Sequence, residues 1–193
     1  MPSSPKIQKD VILKTAMDLL IREGYGAINI KTVAKELGCS TQPISRHFGS
    51  MDGFRKELLI YCIYRMKPYF CVTGDRVSEI VTGIAKAYVT LAFDFPNLYK
   101  YFYMSEHEEE RMSTLVQNLR SDNYSKIIGM LCEEYAMSES HAKEYLSNLN
   151  FYVHGIASYV AVGFGEATKQ EIMDKVQSVS ESLLKYWKEN CGE

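Results

Sequence analysis

The stretch Ala34–Phe54, AKELGCSTQPISRHFGSMDGF, constrains this chain more than any other part of its sequence. Val33, Ala34 and Leu37 fall on one helical face, and Asn29 stands where an N-cap is needed for a helix Ile30–Leu37. Gly38 can take the positive φ that ends such a helix. Ser40 is expected to cap a second, short helix. That helix tolerates Pro43 because the first-turn N–H groups lack intrahelical partners. Ser50 and Asp52 open a longer helix through Phe54, Leu58, Tyr61, Cys62 and Arg65 towards Pro68. Two helices around a tight glycine-centred turn, the second bearing Arg46 and His47, is the layout of a helix-turn-helix. In that motif one helix braces on the DNA backbone and the next enters the major groove.

The rest of the chain reads as helix too. Ile7, Val11, Ile12, Ala16, Leu19 and Leu20 share a face up to Gly24, with Pro5 expected in the first turn. Val77–Phe93 is an apolar helix stopped at Phe95-Pro96-Asn97. An aromatic helix Asn97–Ser105, a charged corner Glu106–Glu110 and helical patterning from Met112 to Tyr135 follow. Ser138 opens a long helix closing near Gly163 and Gly165, and the Thr168–Glu171 capping box opens the last, Ile172–Trp187. Strand-like alternation is absent, so the expected class is all-α with about nine helices. The expected division is a helix-turn-helix domain at 1–52 and a helical domain at 53–193.

Charge is uneven along the chain. Residues 1–57 hold nine Lys/Arg against six Asp/Glu, and the remainder thirteen against eighteen. A basic front on an acidic body suits a densely negative partner meeting one end. Apolar runs stay below the roughly 20 residues of a membrane span, and the N-terminus lacks the apolar core of a secretory signal. A cytoplasmic protein is therefore expected. The five cysteines are scattered and never spaced CxxC, so neither a disulfide framework nor a zinc site is indicated. Ser45 and His47 stand two apart on a short helix and cannot pair as nucleophile and base. His107-Glu-Glu-Glu110 lacks HExxH spacing. No enzyme, metal or cofactor is expected.

Gly24-Tyr25, Asn29-Ile30, Val33-Ala34, Leu37-Gly38, Ser40 and Arg46-His47-Phe48-Gly49-Ser50 together resemble the TetR/AcrR family of bacterial transcriptional repressors. Asn97-Leu98-Tyr99 and Val153-His154-Gly155 resemble the ligand domain of one branch. The resemblance implies a homodimer with a three-helix DNA-binding head and a helical ligand-binding body. It also implies that the last two helices form a four-helix dimer interface. Two positions depart from the family pattern: Ser45 replaces a usual tyrosine and Met51 a usual phosphate-contacting lysine. Each removes a contact that contributes salt-dependent affinity rather than sequence choice.

The function expected is therefore a ligand-responsive regulator, a repressor, binding a palindromic double-stranded operator as a homodimer. The long fourth helix is expected to carry the signal. A helical protein-interaction module or small-molecule carrier with weakened DNA binding is the alternative. DNA contacts are expected from Lys31, Ser40, Thr41, Gln42, Pro43, Ser45, Arg46 and His47, with Gln42 and Thr41 reading base edges. A small apolar or aromatic effector is expected against Tyr88, Phe93, Tyr99, Phe102, Tyr103, Phe151, Tyr152, His154 and Tyr159. The dimer face is expected from Ile156, Val160, Phe164, Val176, Val179, Leu183 and Trp187.

Overall fold

The computed structural model describes residues 7–104 and 123–190. The expectations for Pro5, for Glu106–Glu110 with His107, and for the helix start at Met112 lie outside them. All regular structure among the described residues is helical. The chain separates into two compact units, Met1–Lys67 and Pro68–Glu193.

The first unit holds α1 (Lys9–Glu23), a 3-10 turn Tyr25–Ala27, α2 (Ile30–Glu36), α3 (Gln42–Phe48) and α4 (Met51–Met66). Ile12, Leu13, Ala16, Leu19 and Leu20 of α1 are buried against α2, α3 and α4. Val11 was expected inward but is 45% exposed; Leu13, two positions on, takes the core place. All of α4 goes with this unit, with Phe54, Leu58, Leu59, Cys62 and Met66 buried, so compactness runs on past residue 52. Burial pushes the Cys62 thiol up to about 12, which leaves it an inert core residue.

Asn29 caps α2 as expected. Its side chain accepts from the Thr32 N–H at 3.0 Å, and Thr32 Oγ1 accepts from the Asn29 N–H at 3.3 Å. The Thr32 hydroxyl also donates to the Ala27 carbonyl, tying the cap to the preceding turn. Asn29→Ala is expected to cost about 1 kcal/mol of stability, read as a lowered midpoint in thermal unfolding.

The second unit holds α5 (Val77–Asp94), α6 (Pro96–Tyr103), α7 (residues 123–135 as described), α8 (Glu139–Ala161) and α9 (Lys169–Glu189). α5 is the central element, packed on α6, α8 and α9. Phe95, preceding a proline, takes φ −137° and ψ 62°, which stops α5. Ser138 caps α8 and the Thr168–Glu171 box caps α9, as their sequences predict. A buried hydroxyl chain joins three helices: Thr82 of α5 lies 2.7 Å from Ser180 of α9, which lies 3.2 Å from the Tyr145 hydroxyl of α8.

The connection from Tyr69 to Arg76 is a strap laid antiparallel along α5. The Tyr69 hydroxyl donates to Asp94 at 2.8 Å, Val72 covers Gly83, and the Asp75 N–H donates to Glu79 at 3.1 Å. A Cβ on Gly83 would come within 2.4 Å of Val72 Cγ1. Lys169 of α9 donates to the same Asp94 at 2.7 Å. The Lys169 hydrogen bond, aided by Tyr69, holds the Asp94 carboxyl below its usual range against a smaller opposing effect of burial. A depressed carboxyl contributes stability that is present above its unfolded-state value and is lost as pH falls through the folded one. Asp94→Asn should therefore flatten part of the acid limb of a stability–pH curve. The effect should be small, because both partners are more than a third exposed.

Candidate nucleic-acid interface

The turn between α2 and α3 is built from backbone hydrogen bonds. The Cys39 N–H bonds to the Ala34 carbonyl and the Gly38 N–H to that of Lys35, with Gly38 at φ 63°. This is the Schellman ending, and it needs a residue free to take positive φ. α3 then starts at Gln42 with Thr41 as its N-cap and no side-chain cap bond. Ser40 was expected in that role, but it precedes the cap position. Pro43 explains the missing bond in part, since it removes one of the two N–H groups that an N-cap side chain can satisfy.

Ile44 and Phe48, one turn apart, are the buried residues of α3. Phe48 meets Phe54 edge-on at 5.1 Å between ring centres. Burying these two leaves Thr41, Gln42, Ser45, Arg46 and His47 exposed, with Ser40 exposed before them and Pro43 half-buried. Lys31 is exposed at the start of α2. The structure thus puts α3's expected contact residues together on its surface.

Two features of this surface were not read from the sequence. His47 Nε2 lies 2.9 Å from the carbonyl oxygen of Ile7, forty residues away. Arg55, four residues after Met51, stands 5.6 Å from the centre of the Tyr25 ring and 3.8 Å from Asp52. Met51 occupies the first position of α4, half-buried.

In the second unit, Tyr88, Tyr99, Tyr103 and His154 converge, with ring centres 4.8 to 6.3 Å apart. The Tyr88 hydroxyl is 2.7 Å from His154 Nδ1, and that of Tyr99 is 3.2 Å from both His154 Nδ1 and Ser158 Oγ. Phe102 is buried, and Tyr152 is half-buried. Phe93 instead lines an apolar groove of about 300 Å³ with Ala92, Pro96, Val160, Ala161 and Phe164. Phe151 and Tyr159 do not join the aromatic cluster. They are 72% and 56% exposed, because α8 buries the row Ala142, Tyr145, Leu149, Val153, Ala157 and Ala161 instead.

Of the expected dimer residues, Val176 is wholly buried within its own protomer and has no surface to offer. Phe164 is exposed, while Ile156, Val160, Val179, Leu183 and Trp187 are half-buried. Exposed apolar surface on α8 lies one face over, at Phe151, Tyr159 and Val162 around Gly155.

Residues 12–58 match the family described as bacterial regulatory proteins, tetR family. The match spans the helix-turn-helix and the start of α4. The DNA-binding unit of this chain thus matches that of the TetR family of transcriptional regulators. The HTH-type transcriptional regulator BetI of Vibrio parahaemolyticus is 23% identical over 168 residues, covering 81% of this chain and 78% of that one. A TetR-like transcriptional regulator from Rhodococcus sp. RHA1 superposes with a TM-score of 0.65 at 14% identity, over 97% of this chain and all of the other. A TetR variant from Acinetobacter baumannii AYE, solved in complex with minocycline, gives 0.64 at 14% identity over 97% of this chain and all of that one. The two structural likenesses are ones of fold along nearly the whole of this chain. The family is one of DNA-binding regulators rather than enzymes. No helix among the described residues is long and apolar enough to cross a membrane.

Proposed function

We propose that this protein is a TetR-family, ligand-responsive repressor that binds a two-fold operator as a homodimer. The observation that carries DNA reading is the division of α3. Ile44 and Phe48 fix the helix from inside, and Thr41, Gln42, Ser45 and Arg46 stand exposed together. Gln42, at the first position of α3, suits bidentate pairing with an adenine edge, and Thr41 beside it suits a thymine methyl. Arg46 and Lys31 supply charge for the phosphates and hence a salt-dependent affinity.

Homodimerisation is supported by the apolar row Phe151, Tyr159 and Val162 on α8, continued by Phe164. Gly155 lies within it, and a Cβ there would meet nothing within 4 Å. A two-fold operator requires two α3 helices in successive major grooves, one DNA turn or roughly 34–36 Å apart, and a homodimer supplies two. An effector fits best at Tyr88, Tyr99, Tyr103 and His154, where aromatic surface and hydroxyl groups meet. Apolar or aromatic chemistry suits those rings. Effector and operator would then be linked by a coupling free energy, typically about 1–3 kcal/mol.

The testing experiment maps the genomic fragments bound by the protein and by Gln42→Ala. The variant should lose about 1–3 kcal/mol of discrimination at one position of each half-site while keeping the rest. Unchanged preference at every position would remove Gln42 from base reading. Binding without a steep salt slope would favour a protein-interaction role instead.

A further inference from the structure

We propose that His47 binds DNA as the imidazolium, so that operator binding takes up one proton per protomer. This rests on the reading of α3 as the helix that meets DNA. The carbonyl oxygen of Ile7 can only accept a hydrogen bond, so the His47 nitrogen 2.9 Å from it, Nε2, must carry the hydrogen. In the neutral ring that leaves Nδ1 as a bare lone pair. A lone pair facing a phosphate oxygen is repelled, and the contact fails. Adding a proton at Nδ1 turns the same ring into a two-armed donor, one arm on Ile7 and the other free for a phosphate. The tether therefore selects the charged ring for the DNA complex.

The neighbouring charges are consistent with that division. Arg46 lies beside His47 on α3. From α1, Lys9 stands 5.5 Å from the centre of the adjacent Phe48 ring, and from α4, Glu57 pairs with Lys9 at 2.9 Å. No carboxylate is hydrogen-bonded to His47 among the described residues, so the DNA phosphate is the anion that favours protonation. His47 is then a positioning residue as well as a contact. It fixes the segment entering α1 against the end of α3 and reads the backbone with the opposite edge of its ring.

The sign follows from linkage: a complex that holds more protons than its free components weakens as pH rises. A duplex is first selected by the full-length protein from a random-sequence pool. Its binding is then measured by calorimetry at pH 6 to 8 in buffers of different ionisation enthalpy. Wild type should show net proton uptake, with affinity weakening roughly tenfold per protomer across that range. His47→Gln should abolish uptake and flatten the profile, whereas His141→Gln, on α8 against Trp187, should leave both in place. Selection succeeding without proton uptake, or uptake surviving in His47→Gln, overturns the proposal and leaves DNA binding standing. Failure of the pool to yield any duplex overturns the DNA-binding reading and this inference with it.

Discussion

Gly53→Ala is expected to destabilise the first unit by about 1–3 kcal/mol, although alanine is the better helix former by nearly 1 kcal/mol. Gly53 lies in the first turn of α4, and a Cβ there would stand 2.3 Å from the carbonyl oxygen of Phe48. That oxygen is backbone and is already engaged, accepting the Ser50 N–H at 2.8 Å. It also terminates α3, where Gly49 at φ 73° turns the chain and the Ser50 hydroxyl accepts the Gly53 N–H at 3.0 Å. No side chain can move aside to relieve the contact, so the end of α3 and the start of α4 must separate. The loss should appear twice: as a lower unfolding midpoint and as weakened binding to DNA. A rise in stability instead would show that the two helices adjust without strain.

Gly155→Leu carries the larger functional effect. An added Cβ meets no atom within 4 Å in the protomer, so the variant should fold with unchanged or slightly raised stability. If α8 pairs across a two-fold axis, the leucine blocks close approach at the middle of the Phe151, Tyr159 and Val162 surface. Dimer affinity should then fall by about a hundredfold or more, which matches a few kcal/mol of overpacking. Sedimentation should show monomers at micromolar concentration, and operator affinity should fall with them. A variant that stays dimeric would move the interface off this part of α8.

Local chemistry was the legible part of this chain. The caps at Asn29, Ser50, Ser138 and Thr168 could be assigned because each is a matter of three or four adjacent residues. Gly38 was legible for the same reason: a short turn between two helices leaves one position that requires positive φ. Ser40 was misplaced by one step because Pro43 alters which donors a cap can reach. Faces were harder. α8 carries apolar residues around most of its circumference, so periodicity alone could not say that Val153 turns inward while Phe151 turns out. Val176 and Val179 pose the same problem on α9, where one is buried and the other half-buried. Nor could any pattern have joined His47 to Ile7, or Tyr69 and Lys169 to Asp94. Such pairings arise from tertiary packing between residues far apart in the chain.

The strap from Tyr69 to Arg76 bears on how such a protein can be re-engineered. It is keyed to α5 rung by rung: the Tyr69 hydroxyl to the last turn, the Val72 side chain to the bare backbone at Gly83, the Asp75 backbone N–H to the first turn. It is a splint rather than slack tubing, and a residue gained or lost within it would throw every later key out of step. A graft that exchanges the reader of one such protein for another's should therefore be spliced at Lys67–Pro68, with the strap travelling alongside the helix it fits.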